Sequence, residues 1–142
     1  MKTLKTFVSI LIVSLTMPSA LALTTAEQIE AIDALMARSG YYPTQSNNYS
    51  SKLTKSSSAN STMQGSAGTT YAVAAVCDDD CGDIDVEVSD KYGDTVGKDN
   101  DSSYLAVTNF KANYSGNYTI KTTMYNCSTS YCIYRLKVYA QR

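Results

Sequence analysis

Apolar residues in this chain keep two different periods, and the change from one to the other near Thr70 divides it. Between residues 24 and 39, Ile29, Ile32, Leu35 and Met36 recur at the spacing that stacks side chains on one face of a helix. Thr24 followed by Glu27 makes a capping box at its start, and Gly40 can take the left-handed conformation that stops it. An amphipathic helix within residues 23–40 follows, and its apolar stripe needs cover from the chain itself or from a partner. From Tyr71 the period shortens to two. Tyr71 to Cys77 is an almost unbroken small apolar run, the pattern of a buried strand, whereas Ile84, Val86 and Val88 alternate with Asp83, Asp85 and Glu87. Short strands are expected around Thr95 to Lys98 and from Leu105 to Phe110. Tyr118, Ile120, Thr122 and Met124 alternate along the next, and Cys132, Tyr134, Leu136 and Val138 along the last, leaving Arg135, Lys137 and Tyr139 on the other face. The turn sequences Asp90-Lys91-Tyr92-Gly93 and Tyr114-Ser115-Gly116 separate them. This pattern predicts an all-β antiparallel sandwich of about six to eight strands with one N-terminal amphipathic helix, its main part spanning residues 69–142.

The other segments carry little apolar periodicity. Residues 41–68 are rich in Ser, Thr and Asn, and read as a linker or exposed edge with one short strand at Tyr49 to Leu53. So long a stretch inside a compact domain must be paired in part or be mobile. Residues 1–22 begin with Lys2 and Lys5, continue with an apolar run from Phe7 to Leu15 and end in Ala20-Leu21-Ala22, the layout of a secretory signal peptide cleaved after Ala22. That run is too short to span a bilayer comfortably, so the expectation is a secreted or periplasmic protein without a membrane span.

Charge sharpens the picture. The whole chain carries a net −1, and loss of Lys2 and Lys5 would make it more acidic, which disfavours a nucleic-acid partner. Between Cys77 and Asp101 only Lys91 and Lys98 interrupt a dense series of acids, while Ser102 to Arg142 holds basic residues and no acid. Acidic and basic strands could neutralise one another across a sheet, or the acids could form a functional patch.

Four cysteines in an exported chain imply two bridges. Cys77 with Cys81 and Cys127 with Cys132 are favoured, because each pair brackets a loop between two strands; a crossed pairing stays open if both loops share one end. Their spacing and the absence of histidine disfavour structural zinc. The same absence removes the usual base for a serine or cysteine nucleophile, so no enzyme is expected.

The run Tyr71-Ala72-Val73-Ala74-Ala75-Val76-Cys77-Asp78-Asp79-Asp80-Cys81-Gly82-Asp83-Ile84-Asp85-Val86, with Asp90, Gly93, Ser115 to Ile120, Met124 to Cys127 and Cys132 to Tyr134, resembles the bacterial pre-peptidase C-terminal domain and its small secreted relatives. The likeness covers about Ser50 to Tyr139 and leaves the helix outside. It implies a jelly-roll-like β-sandwich with an accessory or binding role beside exported enzymes, sometimes with bound calcium. Tyr118, just after a turn, matches the tyrosine corner that ties a strand to upstream backbone.

Two candidate sites follow. Asp78, Asp79, Asp80, Asp83 and Asp85 crowd carboxylate oxygens near the first cysteine pair, and calcium needs six to eight oxygens at about 2.4 Å. The competing reading is a solvated acidic tip whose strand acids face Arg135, Lys137 or Lys121. The chain also holds twelve tyrosines, of which Tyr125, Tyr131, Tyr134 and Tyr139 are the candidate recognition surface for an extracellular protein or carbohydrate. The functional expectation is a non-catalytic binding or accessory domain, stabilised by calcium if the acidic loop takes it. The alternatives are a self-assembling matrix or filament subunit, and an inhibitor or chaperone of a co-secreted enzyme.

Overall fold

The computed structural model describes residues 24–142; the signal peptide expected at 1–22 lies outside them. Among these residues one helix, α1 (Thr25–Arg38), precedes the strands β1 (Tyr41–Leu53), β2 (Ser57–Gly65), β3 (Thr70–Cys77), β4 (Cys81–Ser89), β5 (Thr95–Asp99), β6 (Leu105–Lys111), β7 (Gly116–Cys127) and β8 (Cys132–Gln141). They form two antiparallel sheets of four strands, ordered β1-β8-β3-β6 and β2-β7-β4-β5. The pairs β1 with β8, β2 with β7, β3 with β6 and β4 with β5 are those of one long hairpin rolled upon itself, which is a jelly roll. Every connection between consecutive strands passes from one sheet to the other except the β4–β5 hairpin.

Alternation builds the core. Ile84, Val86 and Val88 of β4, Tyr118, Ile120 and Met124 of β7, and Tyr134, Leu136 and Val138 of β8 all point between the sheets and are buried. β3 is covered on both faces: Val73 and Ala75 join this core, while Ala72, Ala74 and Val76 turn outward against Ile32 of α1. Small side chains on that outer face let the helix approach closely. Ile29 and Met36 flank Ile32, but Leu35 lies at the border of the stripe and remains 61% exposed. The apolar face of the helix is therefore narrower than its sequence period suggested.

The capping box forms as expected. The Thr24 hydroxyl accepts from the Glu27 amide at 3.3 Å, and the Glu27 carboxylate accepts from the Thr24 amide at 2.8 Å. That bonding also lowers the Glu27 pKa from the ordinary carboxylate value. Gly40 takes φ +79° where the chain leaves the helix for β1.

The polar segment is a correction to the linker reading. Nearly all of it is strand, with β1 forming one edge of the first sheet and β2 one edge of the second. β2 alternates Ser57, Ala59, Ser61, Met63 and Gly65 inward. Its period of two is faint in the sequence because Ser57, Ala59, Ser61 and Gly65 are small and only Met63 carries a strong apolar signal; at Gly65 the close approach of a ring requires it. A methyl group at Gly65 would lie 2.6 Å from the Tyr118 ring. Tyr118 itself makes the corner: its hydroxyl donates to the Tyr114 carbonyl at 2.9 Å and accepts from the Tyr114 amide at 3.1 Å.

Single side chains latch both open sides of the sandwich. On one, the Tyr49 hydroxyl of β1 donates to the Thr62 carbonyl of β2 at 2.8 Å. On the other, the Asp99 carboxylate of β5 accepts from the Val107 amide of β6 at 2.8 Å. Each satisfies an edge group that would otherwise template strand addition.

Candidate functional site

Both disulfides form, in the local pairing: Cys77 with Cys81 and Cys127 with Cys132. Each spans a crossing from one sheet to the other, so together they tie the two layers at one end. The two crossings are also bonded to each other. The Asp78 amide donates to the Ile133 carbonyl at 3.0 Å, the Asp78 carboxylate accepts from the Ile133 amide at 3.0 Å, and the Ser128 amide donates to the Asp80 carbonyl at 2.8 Å. Two disulfide-closed crossings bonded to each other point to an oxidising compartment. Among the described residues no helix is long and apolar enough to cross a membrane.

The acidic set is not brought together. Asp78 is engaged by the backbone of β8, Asp79 and Asp80 are exposed at the tip, and Asp83 and Asp85 lie on the outer face of the β2-β7-β4-β5 sheet. Among the described residues, no group of three or more carboxylate or cysteine side chains converges as a metal ion would require. Strand alternation is the reason: β4 fixes its acids to a face, while the loop acids follow the turn.

That outer face is the more developed feature. Asp83, Asp85, Glu87, Lys98, Lys121 and Tyr125 line an open recess of about 260 Å³. In register, Glu87 lies opposite Lys98 of β5 and Lys121 of β7, and the Lys98 ammonium is 3.8 Å from the Glu87 carboxylate. Neutralisation across the sheet thus reaches Glu87. Asp85 faces Thr123 and Asp83 faces Asn126, neither of which carries charge. One oxygen each of Asp83 and Asp85 is shielded from solvent and lacks a protein partner. Partial burial, and then the charges of Asp83 and Asp99, push the Asp85 pKa up to about 6, against an opposing effect of Lys98.

The basic residues of β8 do not reach this face. Arg135 and Lys137 lie beneath α1, where the Arg135 guanidinium donates to the Thr25 hydroxyl at 3.2 Å and the Lys137 ammonium donates to Asp33 at 2.6 Å. The expectation that they face the β4 acids is overturned because they belong to the opposite sheet.

The tyrosine set divides likewise. Tyr125 and Tyr131 are 52% and 46% exposed and remain available for recognition. Tyr134 is buried between the sheets, in phase with Cys132 and Leu136. Tyr139 is on the outer face of its sheet, but α1 covers it and its hydroxyl donates to Asp33 at 2.8 Å. Burial, with the Asp33 bond and charge, raises its pKa. Neither Tyr134 nor Tyr139 can belong to a binding surface. Sequence reasoning missed Lys98, Asn100 and Thr123 around the recess. The signal was present in β7, where Lys121, Thr123 and Tyr125 alternate with the inward Ile120, Thr122 and Met124.

No protein-family model matches this chain, and no curated protein matches it. Among solved structures it is similar to PliG of Aeromonas hydrophila, a periplasmic lysozyme inhibitor of g-type lysozyme. The identity is 15%, the TM-score 0.49, and the match covers 67% of this chain and 85% of that one. The jelly roll described above rests on its own strand pairing and not on this likeness.

Proposed function

We propose that the chain is an exported, non-catalytic accessory domain of the pre-peptidase C-terminal kind, which binds an extracytoplasmic protein through the outer face of the β2-β7-β4-β5 sheet. The observation that carries this reading is the asymmetry of the two layers. The helix covers much of the outer face of one sheet, whereas the other presents two carboxylates without charged partners across the ladder, beside the exposed Tyr125. Carboxylates and a rigid aromatic suit a basic protein surface, for which Arg or Lys side chains would supply the missing partners.

The test uses the mature protein and an Asp83→Asn/Asp85→Asn variant as baits in the extracytoplasmic fraction of the native cell. The expected result is salt-sensitive capture of one protein by the wild type and its loss with the variant. Equal capture by both would overturn the reading. If the captured protein is an enzyme, its activity with and without the domain decides whether binding inhibits it; a g-type lysozyme belongs in that panel. The calcium-stabilised form of the reading predicts a higher melting temperature when calcium is returned after chelation, and an unchanged one removes it.

A further inference from the structure

The helix leaves a slot on the β1 side of the sheet it covers. Leu136 of β8 points into the core, so Arg135 and Lys137 on either side of it point outward. The register sets Ser50 of β1 opposite Arg135 and Asn48 opposite Lys137, which brings all four side chains to that one face. Asn48 is where pairing resumes after the register shift that begins at Pro43. These residues, with Ile29 of α1 as an apolar wall, line a slot of about 190 Å³. Typical ligand pockets hold about 300–1,000 Å³, so this one suits a single polar group on a short stem.

Its polar groups are mostly donors, and one cation among them is unanswered. The Lys137 ammonium donates to Asp33 at 2.6 Å, and Asp33 also accepts from Tyr139. Arg135 donates from Nε to the Thr25 hydroxyl at 3.2 Å, and among the described residues its side chain makes no other hydrogen bond and no ion pair. The remaining helix acids do not reach it: the Glu27 carboxylate is turned to Thr24, and Glu30 is exposed. The Nη pair of a half-buried guanidinium thus lacks a carboxylate, beside the exposed Asn48 amide and Ser50 hydroxyl. Holding that charge part-way out of water without an anion is costly, and the fork of two N–H donors matches the two oxygens of one carboxylate.

We infer that this slot is a carboxylate-binding site, in which the Arg135 fork receives the two oxygens, Asn48 and Ser50 donate from β1, and Ile29 packs against the apolar stem of the ligand. The ligand is a carboxylate on a short carbon chain, either free as a small acid or carried on a glutamate side chain. The slot lies on the sheet opposite the protein-binding face proposed above, so it stands or falls independently of that function.

Titration of the mature, isotopically labelled protein with sodium propionate at constant ionic strength, followed by NMR, tests it. The Arg135 Nε–H signal and the amides of Ile29, Asn48 and Ser50 should shift and saturate. Propionamide, of similar shape but uncharged, should move none of them. A second titration with glutamate blocked at both ends separates the two sources: tighter binding than propionate assigns the slot to a side chain of a partner, and weaker binding assigns it to a free acid. Arg135→Gln should weaken propionate binding by about tenfold or more, and Arg135→Lys should recover only part of it, because an ammonium keeps the charge without the fork. Ser50→Glu supplies a carboxylate opposite Arg135 from within the chain, so it should block propionate and raise the melting temperature. That variant keeps Arg135 in place and serves if Arg135→Gln fails to fold. Shifts that grow without saturating, equal binding by Arg135→Gln, a response to propionamide, or tighter binding of inorganic phosphate than of propionate would overturn the inference.

Discussion

Asp85 is a carboxylate that its surroundings push well above the ordinary carboxylate pKa. An acid whose pKa is raised in the folded chain holds its proton there at a pH where the unfolded chain has released it. Between the unfolded value near 3.8 and the folded value of about 6, the folded state therefore binds more protons, and the contribution of Asp85 to stability falls as pH rises through that window. Asp85→Asn should remove this slope and leave the variant more stable than wild type at neutral pH, by a modest margin because solvent screens the site. Melting curves at a series of pH values check it; parallel curves for the two proteins would show the attribution to be wrong. Tyr118 makes a second prediction at this scale. Its ring fills the space left by Gly65 and its hydroxyl holds both backbone groups of Tyr114. Tyr118→Phe keeps the ring and deletes those bonds, so urea denaturation should show a loss of about 1–2 kcal/mol.

At the scale of elements, α1 is attached by a narrow apolar stripe and a polar clasp. Asp33 accepts from both the Lys137 ammonium and the Tyr139 hydroxyl, on a β8 face that the helix itself covers. Asp33→Ala would leave a largely buried ammonium and a buried hydroxyl without their partner, at a cost of about 1–3 kcal/mol. Amide exchange should then quicken in α1 before it quickens in β3 or β7. Uniform acceleration would mean that the helix is not a separable unit. The capping box and the apolar spacing made this helix legible in the sequence, and Thr24, Glu27 and Gly40 play the parts expected of them. Which sheet it would cover was not legible, because Ala72, Ala74 and Val76 look the same whether a strand is buried by another sheet or by a helix. The edge strand β2 was hidden for a related reason. Ser57, Ala59 and Ser61 alternate inward, and residues so small carry little hydrophobic signal.

For the whole molecule, the two disulfides act as inter-sheet ties at a single end. Closing loops this short stabilises each by only about 2 kcal/mol through the unfolded chain. Replacing all four cysteines with serine should therefore lower stability by about 4 kcal/mol, measured by denaturant titration, if the two ties contribute independently. A larger loss would mean that the crossings hold each other in place and fall together. The sequence by itself determined the local quantities: strand phase from β3 onward, the helix and its caps, and the turn at Tyr114 to Gly116 that sets the tyrosine corner; it favoured the local disulfide pairing, which the structure settled over the crossed one although both loops share an end. Each depends on residues near one another in the chain, so composition and period suffice. Only the tertiary structure decided which residues share a surface. It sent Asp83 and Asp85 to an open face and Asp78 to the backbone of β8. It placed Tyr134 between the sheets and Tyr139 under the helix, and it removed Arg135 and Lys137 from the acids they were expected to meet. Those outcomes follow from rolling one long hairpin into two layers, which pairs strands far apart in sequence and assigns every outward residue to a particular sheet and end.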